Sequence, residues 1–410
     1  MAYGGSSCVE KGETLYRRAC EIIPGGTQTN AKKPPEALRG VYPPFIVRGE
    51  GAYVWDLDGN RYIDHKLGCG PVVLGHAYPA VVEAAARQLR DGLVYGSAHP
   101  SEVRLAELVI ETVPCAEMVR FLKAGAEGTA AAVRLARTYT GRELVLSCGY
   151  HGWHDWSLAK NPTVAGIPDC LRSLTLGFSY GDYDRLEALA RAQGDKVAAV
   201  VFAAPYHVEP AEIGHFLQRV RELTHKHGAV LIYDEIVTGF RVSLGGMQEL
   251  TGVIPDLAVF SKGMANGFPI AAVTGCKEIM RAWDRTTIST TFGGEAVSIA
   301  AAIASITELR DKNVPAELAR RGAWLKDQAE QIGVETGLRL RGCGFNALPN
   351  ILLEGEDAPL ADSLQRALLF EGVFPYFPLW YISFAHDMAV MEESVTALRR
   401  AASRVVEEKG

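Results

Sequence analysis

Between residues 79 and 275 the chain alternates two hydrophobic periods, and that alternation limits the folds open to it more than any other feature. Stretches of helical period near 79–91, 101–112, 127–138, 183–193 and 211–227 are separated by short apolar runs. Those runs are Met118–Leu122, Leu144–Ser147, Val197–Ala203, Ala229–Tyr233, Leu257–Phe260 and Ile270–Thr274. Runs this short and this apolar suit strands buried on both faces, and helices between them supply the cover. The expectation is an α/β fold with a large domain, a mostly parallel sheet covered by helices, and a smaller α+β domain. Ala296–Leu309 reads as one more apolar helix. Beyond it, helices near 314–331 and 389–408 flank strand-like pieces at Leu338–Leu340 and Asn350–Leu353.

Before residue 70 the pattern differs. Residues 1–50 carry Pro24-Gly25-Gly26, Pro34-Pro35 and Pro43-Pro44 and read as irregular. Ala52–Asp64 alternates apolar and polar residues around Asp58-Gly59, which predicts a hairpin. The expected division is 1–70 as an N-terminal segment of the small domain, 71–309 as the large domain, and 310–410 as the rest of the small one.

Composition narrows the class of function. With 42 Lys and Arg against 48 Asp and Glu, the net charge is -6, which disfavours a general nucleic-acid binder. The longest apolar stretch, Val197–Pro205, is far short of the roughly 20 residues a membrane span needs. The start has no basic cluster followed by an apolar core, and the eight cysteines contain no C-x-x-C pair. Reduced thiols in a cytoplasmic protein are expected.

Open α/β sheets bind ligands where their strands end, so polar residues after the apolar runs are the candidates. Lys123-Ala-Gly-Ala-Glu-Gly-Thr129 follows one run and opens a helix. Small residues at a helix start leave amides free for a phosphate; the plainer reading is a tight turn. Asp234-Glu235 ends another run and suits a metal ligand, a base, or a partner for a cationic ring nitrogen; the plainer reading is a helix cap or an ion pair with Arg241. Lys262, in Ser261-Lys262-Gly263, sits where burial would make an amine nucleophilic, or is simply a solvated loop lysine. Gly149-Tyr-His-Gly-Trp-His154 has two histidines but no third ligand, so stacking on a flat ring is the better role for its aromatics, and no metal is expected. Taken together, a phosphate cradle, a stacking aromatic, an acid and a reactive lysine are the parts that hold pyridoxal 5′-phosphate (PLP).

These segments resemble the class III PLP-dependent aminotransferases of fold type I. AVLIYDEIVTGFR at 229–241 and DLAVFSKGMANGFPI at 256–270 resemble the family's acid and lysine blocks. WDLDGNRYID, PVVLGHAYP, RLARTYTGR, GYHGWHDW and TTFGGEAVSIAAA extend the likeness from about residue 20 to 405. Within the family the chain most resembles the glutamate-1-semialdehyde 2,1-aminomutase-like branch, and IPGG, GVYPPF and YISFAH resemble a subgroup of it associated with surface-polysaccharide or uncharacterised amino-group transfer. The resemblance implies that Lys262 forms the Schiff base with PLP and that Asp234 pairs with the ring nitrogen. It implies that Tyr150 stacks on the ring with Ile236 on the other face and His151 nearby. Gly125 and Ala126 match the phosphate turn. Thr291 matches a threonine that reaches the neighbouring subunit's phosphate, which implies a homodimer with shared sites.

The chain departs from the family's pattern in three places. The phosphate turn, usually Ser-Gly-Thr-Glu-Ala or Asn-Gly-Ser-Asp-Ala, is Ala124-Gly125-Ala126-Glu127-Gly128, leaving backbone amides, Thr129 and Thr291 as donors. Ala203-Ala204-Pro205 stands where the family has Glu-Pro. Pro378–His386 has no counterpart of the C-terminal arginine that many members use for a substrate carboxylate. The resemblance implies amino transfer between an amine or amino-acid donor and a carbonyl acceptor, with an aminomutase or epimerase on the same scaffold as the alternative. A non-catalytic PLP-fold protein is a third reading, which the retained Lys262, Asp234, Tyr150 and Thr291 oppose. A nicotinamide oxidoreductase is disfavoured, because no G-x-G-x-x-G follows an early strand.

Overall fold

The computed structural model describes residues 9–409. It divides into two compact units: residues up to Tyr78 with Ala316 onward, and Pro79–Pro315.

The first unit opens with helix α1 (Glu10–Ile22), where the sequence reads as irregular. Its buried stripe is Gly12, Tyr16 and Ala19, and only Tyr16 is large, so the helical period is muted. The start of α1 is capped from a distance: Asp58 accepts from Lys11 N at 2.8 Å and Gly12 N at 2.9 Å. Asp58 therefore terminates a helix as well as shaping the hairpin turn. Strand β1 (Ile46–Glu50), also unforeseen, pairs antiparallel with β2 (Tyr53–Asp56), and β2 pairs antiparallel with β3 (Arg61–Asp64). Asp56 Oδ1 fastens the turn by accepting from Asp58 N and Asn60 N.

The second unit holds helices α2 (Pro79–Asp91) and α3 (Pro100–Thr112), then strand β4 (Met118–Leu122) and helix α4 (Gly125–Thr140). Next come β5 (Leu144–Cys148), β6 (Thr175–Gly177) and helix α5 (Tyr183–Gln193). They are followed by β7 (Val197–Ala203), helix α6 (Pro210–His227), β8 (Val230–Asp234), β9 (Leu257–Phe260) and β10 (Ala271–Gly275). Helix α7 (Ala296–Asp311) closes the unit. The seven strands lie in the order β4-β10-β9-β8-β7-β5-β6. Neighbours from β9 to β6 are parallel, and β10 is antiparallel to both β9 and β4. Six strands thus share one direction, and β4, β5, β7, β8 and β9 all deliver their following loops to the same edge. The strands are apolar throughout because both faces are covered; every residue of β5, β8, β9 and β10 is buried. Helix α4 packs Ala132, Val133 and Ala136 into a core with Val145, Val201, Ile232 and Val259.

The chain re-enters the first unit within helix α8 (Val314–Thr336) and continues through a hairpin of β11 (Leu340–Cys343) and β12 (Asn350–Leu353). The first of these strands begins two residues later than the expected Leu338–Leu340. Helix α9 (Ala361–Phe370) and strand β13 (Val373–Phe374) follow, and β13 pairs parallel with β3. Helix α10 (Met388–Lys409) ends the described chain. No helix among the described residues is long and apolar enough to cross a membrane.

Candidate active site

All eight residues singled out from the sequence lie in the second unit. Asp234 is the last residue of β8, opposite Val259 of β9, and Lys262 follows Val259 by three residues. Neighbouring parallel strands therefore deliver an acid and an amine to one sheet edge. Lys262 is half-buried and opens a short 3-10 turn with φ at +39°. A lysine in left-handed backbone costs of order 1 kcal/mol or more, a strain that folded proteins concentrate at functional positions. Two hydrogen bonds hold the turn: Ser261 Oγ donates to Ile270 O at 2.7 Å, and Met264 N donates to Ser261 O at 3.0 Å.

Asp234 is 8% exposed, and Nδ1 of His151 lies 2.8 Å from its Oδ2. The other carboxylate oxygen accepts from Ile236 N at 3.2 Å. His151 is itself buried and stacks on Trp156 with ring centroids 5.7 Å apart, while its Nε2 has no hydrogen-bond partner. On either side of His151, Tyr150 and Trp153 are 69% and 70% exposed. One loop thus buries a histidine against the acid and presents two aromatic faces outward.

Gly125 and Ala126 are the first residues of α4, a helix of 16 residues, so their amides have no acceptor within the helix. The turn is built by exclusion of side chains. A Cβ at Gly125 would lie 2.5 Å from Ile236 Cδ1, one at Gly152 would lie 2.5 Å from Ala126 Cβ, and one at Gly128 would lie 2.5 Å from Val259 Cγ1. Ile236, the 149–152 loop and β9 therefore all press against this helix start. Glu127 supplies half a cap by accepting from Lys123 N at 2.9 Å and Ala124 N at 3.1 Å. Thr129, expected at the cradle, and Lys123 beside it both point elsewhere. Thr129 Oγ1 is directed to His151 O at 2.8 Å and to Ala126 O at 3.1 Å, so it ties the histidine loop to α4 and does not replace the missing hydroxyls. Lys123 Nζ is bound to Glu295 at 2.7 Å and to Pro269 O at 3.0 Å. Thr291 is exposed in the loop before α7.

Lys160 carried no sequence signal, and Glu235 was marked only together with Asp234. Lys160 Nζ donates to Ser147 Oγ at 2.8 Å and to Gly149 O, closing the loop that bears Tyr150 and His151. Glu235, beside Asp234, turns inward and accepts from Met247 N at 2.8 Å, Gln248 N at 3.0 Å and the Thr238 hydroxyl. Full burial pushes its carboxyl up to about 7. Ala203, the residue before the departure at Ala204, also shapes the site. Ala203 pairs with Asp234 in the sheet, and a Cβ at Gly149 would lie only 2.8 Å from its Cβ, so a small residue there lets the histidine loop come in close.

The donor set fits PLP. Free amides at a helix start suit the phosphate, a buried carboxylate suits the ring nitrogen, and an amine just after the adjacent strand suits the aldehyde carbon.

Comparison with known proteins agrees. Residues 37–346 match the family described as aminotransferase class III. The chain is 35% identical to the glutamate-1-semialdehyde 2,1-aminomutase of Methanobrevibacter smithii, over 97% of this chain and 99% of that one. It is 33% identical to the 3-aminobutyryl-CoA aminotransferase of Cloacimonas acidaminovorans, over 96% of each. Among solved structures, an omega-transaminase from Sphaerobacter thermophilus superposes with a TM-score of 0.87 at 28% identity, covering 97% of this chain and 98% of that one. The PLP-bound FumI protein of Sphingopyxis sp. MTA144 superposes with a TM-score of 0.88 at 29% identity over 97% of each.

Proposed function

The chain belongs to the class III aminotransferases, PLP enzymes of fold type I, and from that premise we propose that it moves an amino group between an amine or amino-acid donor and a carbonyl acceptor. PLP supplies an electron sink for charge that develops beside the substrate nitrogen. The remaining work belongs to the chain's own residues. Lys262 Nζ would anchor the cofactor and, once displaced by the donor, would take a proton from the substrate carbon and deliver it to the cofactor carbon that the lysine had held. Asp234 keeps a proton on the ring nitrogen, and His151 fixes the orientation of that carboxylate. In a site of low dielectric such a fixed charge acts more strongly than in water. Tyr150 covers one ring face and Ile236 the other, while the amides of Gly125 and Ala126 hold the phosphate. Thr291 reaches the phosphate of a neighbouring subunit, so the working form is a homodimer with shared sites.

The observation that carries this reading is the placing of Asp234 at the end of β8 and of Lys262 just after the adjacent strand β9, with Asp234 bound to His151. Absorbance spectra of the purified protein test it. A band near the visible edge, lost in Lys262→Ala and converted by one amino donor without acceptor, is expected. Absence of any cofactor band after PLP is added would overturn the reading.

The isomerase reading is favoured by the names of several relatives, the 35% identical aminomutase of Methanobrevibacter smithii among them. Full turnover of a single substrate with no added acceptor would select it over amino transfer.

A further inference from the structure

On the amino-transfer reading PLP is held at two points, its phosphate by the amides of Gly125 and Ala126 and its aldehyde by Lys262. The two points lie on segments that diverge from one strand pair. Leu122 of β4 stands opposite Ala271 of β10, where the ladder between these strands stops. From there one segment runs forward into the start of α4, and the other runs back through Pro269 to Lys262.

Lys123 spans the gap between them. It is the first residue past β4, and its Nζ donates to Pro269 O at 3.0 Å. The next carbonyl, that of Ile270, accepts from Ser261 Oγ at 2.7 Å, and Ser261 adjoins Lys262. Glu295 locks the ammonium: its Oε2 lies 2.7 Å from Nζ, and the two side chains are 17% (Lys123) and 9% (Glu295) exposed. Glu295 is itself fixed at the start of α7, where it accepts from Val297 N at 2.6 Å and Ser298 N at 3.1 Å. The backbone of Lys123 is fastened as well, because its N donates to Glu127 at 2.9 Å. A buried ion pair adds little net stability, since desolvation offsets the attraction, so stability alone does not account for one beside this site. Geometry does. Ala124 and Ala126 offer no side-chain donor and the Thr129 hydroxyl is directed to His151 O, so a phosphate here rests on amides whose direction the backbone alone decides. A ligand attached at two points gains from the second attachment only where the spacing matches. A misfit of about 1 Å can cost on the order of 10²-fold.

We propose that Lys123 is a positioning residue that sets the spacing between the phosphate amides and the Lys262 amine, with Glu295 as the lock on its ammonium. The role rests on the part of the amino-transfer reading that binds PLP at both points.

The full-length protein, stripped of cofactor and titrated with PLP or with 4′-deoxypyridoxine 5′-phosphate, tests the role. The analogue has a methyl group in place of the aldehyde, so it lacks the bond to Lys262. Absorbance follows PLP, and tryptophan fluorescence follows both ligands. Lys123→Met combined with Glu295→Gln removes both charges together, strands neither, and keeps a carbonyl oxygen for the start of α7. In that double variant PLP is expected to bind at least tenfold more weakly and the analogue less than threefold more weakly. In a Lys262→Ala background the loss for PLP is expected to disappear, because the second point is gone. Lys123→Arg keeps the buried charge paired and serves as the variant expected to fold in any case. Its longer forked head is expected to slow bond formation between Lys262 and the aldehyde about threefold in stopped flow, with affinity for the analogue unchanged. Equal losses for PLP and the analogue, or a loss for PLP that persists without Lys262, overturn the spacing role, as does unchanged PLP binding in both variants. Wild type that binds PLP but transfers no amino group from any donor overturns the amino-transfer reading and leaves the spacing role standing. Wild type that binds no PLP overturns both.

Discussion

His151 Nδ1 lies 2.8 Å from Asp234 Oδ2, and both side chains are buried. The pair joins the loop after β5 to the end of β8, so the acid is oriented by a residue 83 positions away in sequence. Removing one member of a buried pair strands the other. His151→Leu is expected to lower stability by about 3 kcal/mol, the usual cost of breaking such a pair, measured by urea unfolding. Asp234→Asn keeps the shape and removes the charge. It is expected to reduce turnover by about 10²-fold or more, with a far smaller change in unfolding midpoint.

The half-cap at α4 invites completion. Ala124→Ser would place a hydroxyl three residues before Glu127, forming the reciprocal box in which each side chain serves the other's backbone. A gain of about 1 kcal/mol in stability is expected. PLP affinity, read from dialysis and absorbance, is expected to tighten severalfold, because the same hydroxyl restores a donor to the phosphate turn.

Thr129→Val tests the opposite assignment, that this hydroxyl serves the fold and not the phosphate. The buried Thr129 hydroxyl is 2.8 Å from His151 O, so the valine variant is expected to lose about 1 kcal/mol of stability. A large direct loss of phosphate affinity in a variant that keeps its thermal stability would show that the hydroxyl is a phosphate donor.

Two buried groups give opposite pH dependences. Burial pushes His65 down to about 4 from 6.5 in the folded chain. Below 6.5 the unfolded state binds the extra proton, so this contribution is complete above 6.5 and is lost as pH falls toward 4; it totals about 3 kcal/mol. Glu235, raised from 4.5 to about 7, has the reverse sign: its contribution is present below 4.5 and lost as pH rises through 7. Unfolding curves of wild type and His65→Asn are expected to converge as pH drops from 6.5 to 4. Glu235→Gln, the neutral isostere of the protonated acid, is expected to lie close to wild type at pH 4.5 and to become the more stable of the two as pH rises to 7.

The large sheet was legible because both faces of its strands are covered, which makes them continuous apolar runs. All six runs read from the sequence became strands of that sheet. Helix α1 was hidden because small residues, Gly12 and Ala19, carry its buried stripe and its cap comes from Asp58 more than 40 residues away. Strands β6 and β13 have three and two residues, too few to show a period. In the site, Lys262 and Asp234 announced themselves by their position after buried strands. Lys160 did not, because a lysine after a four-residue helix has no pattern to mark it. The direction of a hydroxyl, as at Thr129, is decided by neighbours distant in sequence.

Three glycines around the start of α4 are filled by the apolar side chains of other elements: Gly125 by Ile236, Gly128 by Val259, and Gly152 by Ala126. Gly128→Ala, which would restore the family's usual residue, would push its Cβ to within 2.5 Å of fully buried Val259 and is expected to cost about 1–3 kcal/mol until Val259 is also shortened. The start of α4 and the strand that leads to Lys262 therefore constrain each other's residues. A lineage leaving this composition would have to change Val259 before or together with Gly128, so the order of its substitutions is constrained by a single packing contact.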